Sequence, residues 1–280
     1  MKPIILFTIL LLTTTAWSQT ENYKVYALRF ASSGYPWTVN DWADKGPKTD
    51  SVHIDFMIWL IKGANGKNVL VDAGFLNDIK DAEEFKLSAY TRPDSTLQKL
   101  GLQASDITDI IISHPHWDHI DGVSLFPNAK IWMQQADYIY CTSLAWQKGG
   151  SPGGFNKRDM HQLMELNMSG RLVLVNGDNH EIIPGIKVFT GSKHTFESQY
   201  VLVNTGINRI VLASDNIWIY YNLDHLRPAS TGGTFDTTAY VKSMIRMKTQ
   251  ASKLKYIIPG HDARIFTLFP RVAEGVVKIE

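Results

Sequence analysis

The sequence predicts a protein of the α/β (α+β) class, in which groups of strands are separated by helices. Short apolar runs and stretches of period-two alternation recur along the chain, and both patterns are typical of strands. The 280 residues are 44% hydrophobic and carry a formal net charge of +1. This composition indicates a globular protein that can bury a substantial core.

The strands and helices can be placed along the chain from these patterns. Asn65-Gly66 suits a two-residue hairpin turn, and Pro93 suits the start of a helix. The first half is predicted to contain an edge strand over 23–30, a hairpin of strands 52–61 and 67–71, a short helix over 93–100 and a strand over 107–113. The second half is predicted to contain strands over 129–133, 171–175, 186–190, 200–204, 210–213 and 256–258. It is also predicted to contain one helix that begins at Gln134 and another that covers 237–248.

Residues 114–119 read His-Pro-His-Trp-Asp-His and directly follow the apolar run Ile110-Ile111-Ile112. Imidazole and carboxylate are ligands that Zn²⁺ prefers, and the end of a strand holds such ligands in a fixed geometry. The alternative interpretation is a polar turn with surface histidines. Because four candidate ligands occupy six positions, the hexapeptide favours a metal site formed by His114, His116, Asp118 and His119.

Three more candidate ligands follow apolar segments further along the chain. His194 lies in Gly-Ser-Lys-His-Thr, Asp215 in Leu-Ala-Ser-Asp-Asn and His261 in Ile-Pro-Gly-His-Asp. Seven ligands are too many for one tetrahedral zinc, but they suit two metals that share a bridging carboxylate and a bridging water. The residues therefore predict a dinuclear hydrolytic centre.

This pattern, H-x-H-x-D-H followed by a distant His, Asp and His, resembles the metallo-β-lactamase superfamily of hydrolases. The resemblance covers nearly all of the chain after the first twenty residues and implies a four-layer αββα sandwich over residues 19–280. It implies two Zn²⁺ per chain, although such ligands also accept other divalent metals, and it makes Asp72 a carboxylate that supports a ligand. It assigns His114, His116 and His194 to one metal, Asp118, His119 and His261 to the other, and Asp215 to both.

The ligand spacing is similar to that of the secreted N-acyl-homoserine lactone lactonases. From His119 to His194 there are 75 residues, from His194 to Asp215 there are 21, and from Asp215 to His261 there are 46. Primary β-lactamases of the superfamily carry Cys or a non-ligand residue such as Ser where Asp215 stands, and glyoxalase II relatives append a helical domain for which this chain is short. The resemblance therefore implies a quorum-quenching lactonase that acts on a small-molecule lactone.

In the mechanism that the set of seven ligands predicts, a hydroxide between the two metals attacks the lactone carbonyl, and Asp118 transfers a proton to the departing ring oxygen. Because the same centre serves many reactions, hydrolysis of other esters, other lactones or phosphotriesters is an alternative function. Hydrolysis of β-lactams is a less favoured alternative. From another class of protein, the alternative is a protein that binds metal but catalyses no reaction.

Lactonases of this type commonly have a tyrosine three positions after the bridging aspartate, where this chain has Trp218. We predict that Tyr220 contacts the substrate carbonyl instead, because Tyr220 and Trp218 share a face if the segment is an extended strand. The alternative is that these aromatic residues pack an edge of the core.

Two long segments, residues 32–50 and 138–168, are predicted to be loops and are candidates for substrate recognition. They carry Trp37, Trp42 and Trp146, which together with Trp218 are the predicted substrate contacts. These side chains would line a channel for an acyl chain, or they would bury the loops or an interface.

Residues 1–18 have the pattern of a short secretory signal, with an apolar run over 4–12 before Ala16-Trp17-Ser18. We expect a periplasmic or secreted protein without a stable membrane anchor, and a retained anchor is the alternative. The only cysteine, Cys141, is expected to be a small buried hydrophobic residue. No basic block suggests a nucleic-acid partner, and a homodimer is expected through the resemblance.

Overall fold

The computed structural model describes residues 22–64 and 66–280, so the predicted signal peptide over residues 1–18 lies outside the described residues. The strands are β1 (Lys24–Ser32), β2 (Trp37–Thr38), β3 (Ser51–Val52), β4 (Asp55–Lys62), β5 (Asn68–Val71), β6 (Ala89–Tyr90), β7 (Asp109–Ile111), β8 (Lys130–Gln134), β9 (Leu172–Val175), β10 (His180–Ile183), β11 (Ile186–Thr190), β12 (Gln199–Asn204), β13 (Arg209–Ser214), β14 (Ile257–Pro259), β15 (Arg271–Ala273) and β16 (Val276–Lys278).

Helices connect the groups of strands. They are α1 (Val39–Trp42), α2 (Pro93–Thr96), α3 (Trp117–Ile120), α4 (Gln135–Thr142), α5 (Lys157–Met168), α6 (Tyr220–His225), α7 (Thr237–Gln250) and α8 (Ile265–Leu268). The longest, α7, begins after Asp236, whose side chain accepts hydrogen bonds from the amides of Thr238 and Ala239. Within the described ranges, no helix is long and apolar enough to cross a membrane.

The strands form two large sheets and a small ribbon. The larger sheet has the order β15-β16-β1-β4-β5-β7-β8-β9, with β6 also paired to β1, and the smaller has the order β10-β11-β12-β13-β14. Strands β5, β7, β8 and β9 run parallel to one another, as do β13 and β14. Because parallel neighbours end at the same edge of a sheet, the loops after them bring distant residues together.

Four layers follow from the burial pattern of the larger sheet. Trp59 in β4 belongs to a core shared with the smaller sheet and α7, whereas Ile58 and Leu60 belong to a second core shared with α5. Successive residues of a strand point to opposite faces, so this sheet is covered on both sides. Burying each such side chain contributes about 1.5–3 kcal/mol. The predicted αββα sandwich is confirmed.

Most of the predicted elements are confirmed, including the β4–β5 hairpin, the helix that starts at Pro93, and α7. Two predictions are wrong. The strand predicted at 23–30 is not an edge strand, because β16 and β4 flank it on either side. Segment 138–168 is not one long loop, because α5 lies within it and buries Met160, Leu163 and Leu166.

Candidate metal centre

The structure brings all seven predicted metal ligands together where strands of both sheets end. His114 and His116 follow β7, and Asp118 and His119 lie in α3, the short helix that begins directly after His116. The other three follow β11, β13 and β14 in the smaller sheet, and they are His194, Asp215 and His261. The seven side chains form overlapping groups whose ligand atoms lie within 4.8 Å of one another.

The first cluster consists of three imidazoles. His114 Nε2 lies 3.1 Å from His116 Nδ1, and His194 Nε2 lies 3.0 Å from the same atom. With zinc–nitrogen bonds of about 2.0–2.1 Å, ligand atoms at the corners of a tetrahedron are about 3.3 Å apart. The three nitrogens therefore have a spacing close to that of three corners of a zinc site.

The second cluster combines a carboxylate with two imidazoles. Asp118 Oδ2 lies 3.2 Å from His119 Nε2 and 3.5 Å from His261 Nε2. These separations also match the edge of a tetrahedral site. The side chain of Asp118 is 11% exposed, more than those of its two partners, so this carboxylate forms part of the surface that a substrate meets.

The carboxylate of Asp215 lies between the two clusters. Its Oδ2 is 3.3 Å from His194 Nε2 and 3.9 Å from His114 Nε2, while its Oδ1 is 2.9 Å from His261 Nε2 and 3.3 Å from His119 Nε2. Burial alone would raise the pKa of Asp215, but His261 and His119 outweigh burial and hold that pKa well below its usual range. Asp215 is thus an ionised carboxylate with one oxygen facing each cluster.

Two buried atoms of the centre indicate that these residues suit divalent metals. His119 Nε2 and Asp215 Oδ1 are both buried and make no hydrogen bond of good geometry among the described residues, although Asp215 Oδ1 lies 2.9 Å from His261 Nε2. Leaving a buried polar atom unpaired costs about 1–3 kcal/mol. A cation between these atoms would supply the missing partner, and a set of imidazoles and carboxylates is suited to zinc.

The ring nitrogens that face away from the centre have partners of their own. His194 Nδ1 donates to the carbonyl of Gly233 at 2.7 Å, and His261 Nδ1 lies 3.3 Å from the carbonyl of Asp55. A donor hydrogen on Nδ1 leaves the lone pair of Nε2 pointing at the centre, as metal binding requires. Asp262, which directly follows His261, accepts hydrogen bonds from the amide of Tyr220 and from Arg264 and has none from the His261 ring.

Asp72 supports the second cluster, as the family resemblance implies. Its carboxylate accepts a hydrogen bond from His119 Nδ1 at 2.8 Å, and it also binds the amide and hydroxyl of Ser113 and the hydroxyl of Ser214. Asp72 and Ser214 have φ values of 61° and 46°, which are strained for residues with a side chain. The two serines could not be predicted from the sequence, because a single buried serine carries no distinctive pattern.

The two clusters differ in charge. Burial, with the neighbouring imidazoles, lowers the pKa of His114 well below its usual range and that of His116 to about 3. Burial would also lower the pKa of His119 and of His261, but the nearby carboxylates raise both. In the metal-free chain His114 and His116 are therefore neutral, whereas the raised pKa values of His119 and His261 favour protons that a metal must displace.

A cavity of about 430 Å³ opens onto the centre. Three of the four predicted substrate contacts, Trp37, Trp42 and Trp218, line it, and their contact with a substrate stays a prediction. Several other lining residues were not predicted from the sequence, and they come from segments distant in sequence. They are Glu84, Phe85, Thr231 and Phe235.

The structure does not bring Trp146 and Tyr220 to this cavity. The indole N–H of Trp146 donates to the carbonyl of Cys141. The segment from Trp218 to Tyr220 is not an extended strand, which was the condition for placing the two side chains on one face, because α6 begins at Tyr220. The Tyr220 side chain is 6% exposed and lies beneath the guanidinium of Arg264. Cys141 is a buried free cysteine, as expected.

The fold and the ligand set are those of a metallo-hydrolase family. The model of the metallo-beta-lactamase superfamily matches residues 57–261, and the chain belongs to this superfamily. It is 25% identical over 178 residues to an N-acyl homoserine lactonase of Bacillus cereus, which covers 63% of this chain and 64% of the relative. The chain thus matches just under two thirds of that relative's length.

Solved structures share the fold. One is a crystal structure of a Bacillus thuringiensis AiiA mutant with N-decanoyl-L-homoserine bound at the active site. The match covers 88% of this chain and 95% of the AiiA chain, with a TM-score of 0.68 and 18% sequence identity. AidC, described as a dizinc quorum-quenching lactonase, covers 83% of this chain and 84% of its own, with a TM-score of 0.62 and 19% identity.

Proposed function

We propose that this chain opens the lactone ring of N-acyl-homoserine lactones at a centre of two zinc ions. The observation that carries the proposal is the position of Asp215, whose two carboxylate oxygens face two separate clusters of ligands. Primary β-lactamases of the superfamily lack a carboxylate at this position. The relatives and structures named as lactonases support the same class of substrate.

In this proposal His114, His116 and His194 hold one zinc ion, and Asp118, His119 and His261 hold the other, with Asp215 binding both. Zinc ions, when bound, lower the pKa of a coordinated water toward about 7 and polarise a carbonyl oxygen. The chain provides the seven ligands and the hydrogen bonds that orient them.

Asp118 is the proposed proton carrier of the reaction. It lines the cavity. Burial acts to raise the pKa of Asp118, but His119 and His261 lower it, so the group is a carboxylate at neutral pH. A carboxylate in this position accepts a proton from the attacking water and delivers it to the oxygen that leaves the lactone ring.

The walls of the cavity favour a neutral and partly apolar substrate. Indole and phenyl rings of Trp37, Trp42, Phe85, Phe155 and Phe235 provide apolar surface for an acyl chain. Asp41 and Glu84 are the acidic residues at the wall away from the ligands, and no lysine or arginine is among the described residues that line it. A negatively charged substrate such as a phosphodiester would meet repulsion here.

The test is hydrolysis of homoserine lactones with short, medium and long acyl chains by zinc-loaded protein, followed by pH-stat and mass spectrometry. A phosphotriester, a simple aryl ester and a β-lactam are assayed in parallel. The proposal predicts ring opening with addition of one water, loss of activity in chelator and recovery with zinc. Faster turnover of the phosphotriester or β-lactam than of every lactone would contradict it.

We further propose that the protein works outside the cytoplasm and as a homodimer. The leader-like residues 1–18 motivate the first statement, and the exposed apolar side chains Ile139, Leu144 and Met168 motivate the second. Retention of the full-length protein in the cytoplasmic fraction would overturn the first. A monomeric mass by light scattering at micromolar concentration would overturn the second.

A further inference from the structure

The indole of Trp218 binds the carboxylate that lies between the two ligand clusters. Its Nε1–H donates to Oδ2 of Asp215 at 2.8 Å. Each oxygen of an ionised carboxylate can accept two hydrogen bonds or metal contacts. Oδ2 can therefore accept the indole hydrogen and still face His114 and His194. This hydrogen bond restricts rotation of the Asp215 carboxylate, and the orientation of the carboxylate determines which oxygen faces each cluster.

Trp218 also contacts two further predicted ligands. Its ring packs edge-on against the imidazole of His194, with the ring centroids 5.5 Å apart. Its backbone carbonyl accepts a hydrogen bond from the amide of His261 at 2.9 Å. Its own amide donates to Tyr240 Oη at 3.1 Å, and that hydroxyl donates to the carbonyl of Asp215 at 3.3 Å. One residue thus connects ligands of both clusters.

The position of the indole is fixed by its neighbours. Trp42 packs edge-on against it with a centroid separation of 5.2 Å. A Cβ atom at Gly233 would lie 2.3 Å from Cη2 of the indole, so only glycine fits there. The carbonyl of this same Gly233 accepts the hydrogen bond from His194. Packing around the indole and the orientation of the ligands are therefore coupled.

We propose that Trp218 is a positioning residue whose indole N–H orients Asp215 toward both metals, and that this N–H does not bind the substrate carbonyl. The proposal rests on the dinuclear centre of the proposed function but not on its substrate. It also accounts for a tryptophan where related lactonases commonly have a tyrosine. Because the indole has a single polar hydrogen, its use by Asp215 leaves the substrate carbonyl without a side-chain donor at position 218.

The test measures zinc affinity of the full chain by competition with a chromophoric chelator. Two changes remove the N–H: Trp218→Phe, and replacement of Trp218 by β-(3-benzothienyl)alanine, in which sulfur stands in place of the N–H and the shape of the ring is kept. The second change keeps the experiment informative if Trp218→Phe does not fold. Trp37→Phe is the matched control, since it removes from the same cavity wall an indole N–H that has no partner within the described structure.

We expect both changes at position 218 to weaken binding of at least one zinc ion by about ten- to a hundredfold, while Trp37→Phe leaves zinc affinity unchanged. The visible spectrum of the cobalt-loaded protein should change in the same two variants. Unchanged zinc affinity together with a raised KM for a lactone would overturn the proposal and assign the indole to the substrate. If no lactone is hydrolysed at all, the zinc affinities still decide the role of Trp218, so the two proposals fail independently.

Discussion

Asp72 and His119 are joined by a hydrogen bond of 2.8 Å between the carboxylate Oδ2 and the imidazole Nδ1. The same carboxylate binds Ser113, which follows β7, and Ser214, the last residue of β13. Asp72 itself follows β5, so one side chain connects three strand ends from both sheets. This arrangement fixes the direction in which Nε2 of His119 points.

We predict that Asp72→Asn weakens binding of one zinc ion by about ten- to a hundredfold, because the amide cannot accept hydrogen bonds on both of its outer atoms. Zinc affinity measured by chelator competition tests this. Asp262→Asn is the control, because Asp262 follows a ligand in sequence but its carboxylate binds Tyr220 and Arg264. Equal zinc affinity in Asp72→Asn and the unmodified protein would show that Asp72 does not orient His119.

A second prediction concerns Gly154, which lies against the imidazole of His116. Its φ is +79°, and a Cβ atom there would lie 2.4 Å from Cδ2 of the ring. Gly154→Ala should displace His116, lower zinc affinity by about tenfold and cost about 1–2 kcal/mol in the free energy of unfolding. Gly153→Ala places its Cβ in open space and should change neither quantity. Identical behaviour of the two variants in chelator competition and urea unfolding would refute this account.

The charge state of the second cluster predicts how zinc binding depends on pH. The pKa of His119 is raised well above its usual range and that of His261 is also raised, so the second cluster retains protons to higher pH than a free imidazole does, whereas His114 and His116 hold none at neutral pH. Zinc binding at pH 7 should therefore release at least one proton, and zinc affinity should fall as the pH falls. Titration of zinc into weakly buffered metal-free protein with an indicator dye measures the release. Fewer than one proton released would contradict the assigned charges.

Asp159 predicts a pH dependence of stability away from the centre. Burial, with Asp121 beside it, raises the pKa of Asp159 to about 9, and both of its oxygens are buried without a partner in the described part of the chain. In the unfolded chain the pKa of an aspartate is near 4. At pH values between that pKa and the raised pKa of Asp159, the folded state holds a proton on Asp159 that the unfolded state has lost. Stability is therefore lost as the pH rises, by about 1–3 kcal/mol between pH 6 and pH 8.

Asp159→Asn removes this titration and should flatten the corresponding part of the profile. Urea unfolding of the two proteins in chelator, at a series of pH values, gives the difference directly. Parallel profiles for Asp159→Asn and the unmodified chain would show that Asp159 is ionised in the folded state.

The metal ligands could be predicted from the sequence because each one follows an apolar strand and has a residue type with distinctive chemistry. The residues that surround these ligands could not be predicted from the sequence. Tyr220 begins a helix, and its backbone N–H donates to Asp262, which is 42 residues away in sequence. Such a long-range contact cannot be seen in the local alternation of residues, which suggested a strand. Likewise, the cavity residues Glu84 and Phe235 come from segments without any pattern linking them to the hexapeptide.

The fold shows the same division between local and distant information. Hydrophobic periodicity located β4, β5 and β7 well, because it depends only on neighbouring residues. It could not reveal that β16, at the end of the chain, pairs with β1 and makes it an interior strand. Nor could it separate α5 from the glycine-containing loop before it, since a helix with a polar outer face resembles a loop in composition.

The most direct test of the account is a titration of metal-free protein with zinc, in which ring opening of a homoserine lactone with a medium acyl chain is followed at each step. Two ions that share Asp215 predict that full activity requires two equivalents of zinc per chain, and that Asp215→Asn does not reach that activity at any zinc concentration. Full activity at one equivalent, or an Asp215→Asn variant as active as the unmodified protein, would contradict the dinuclear centre.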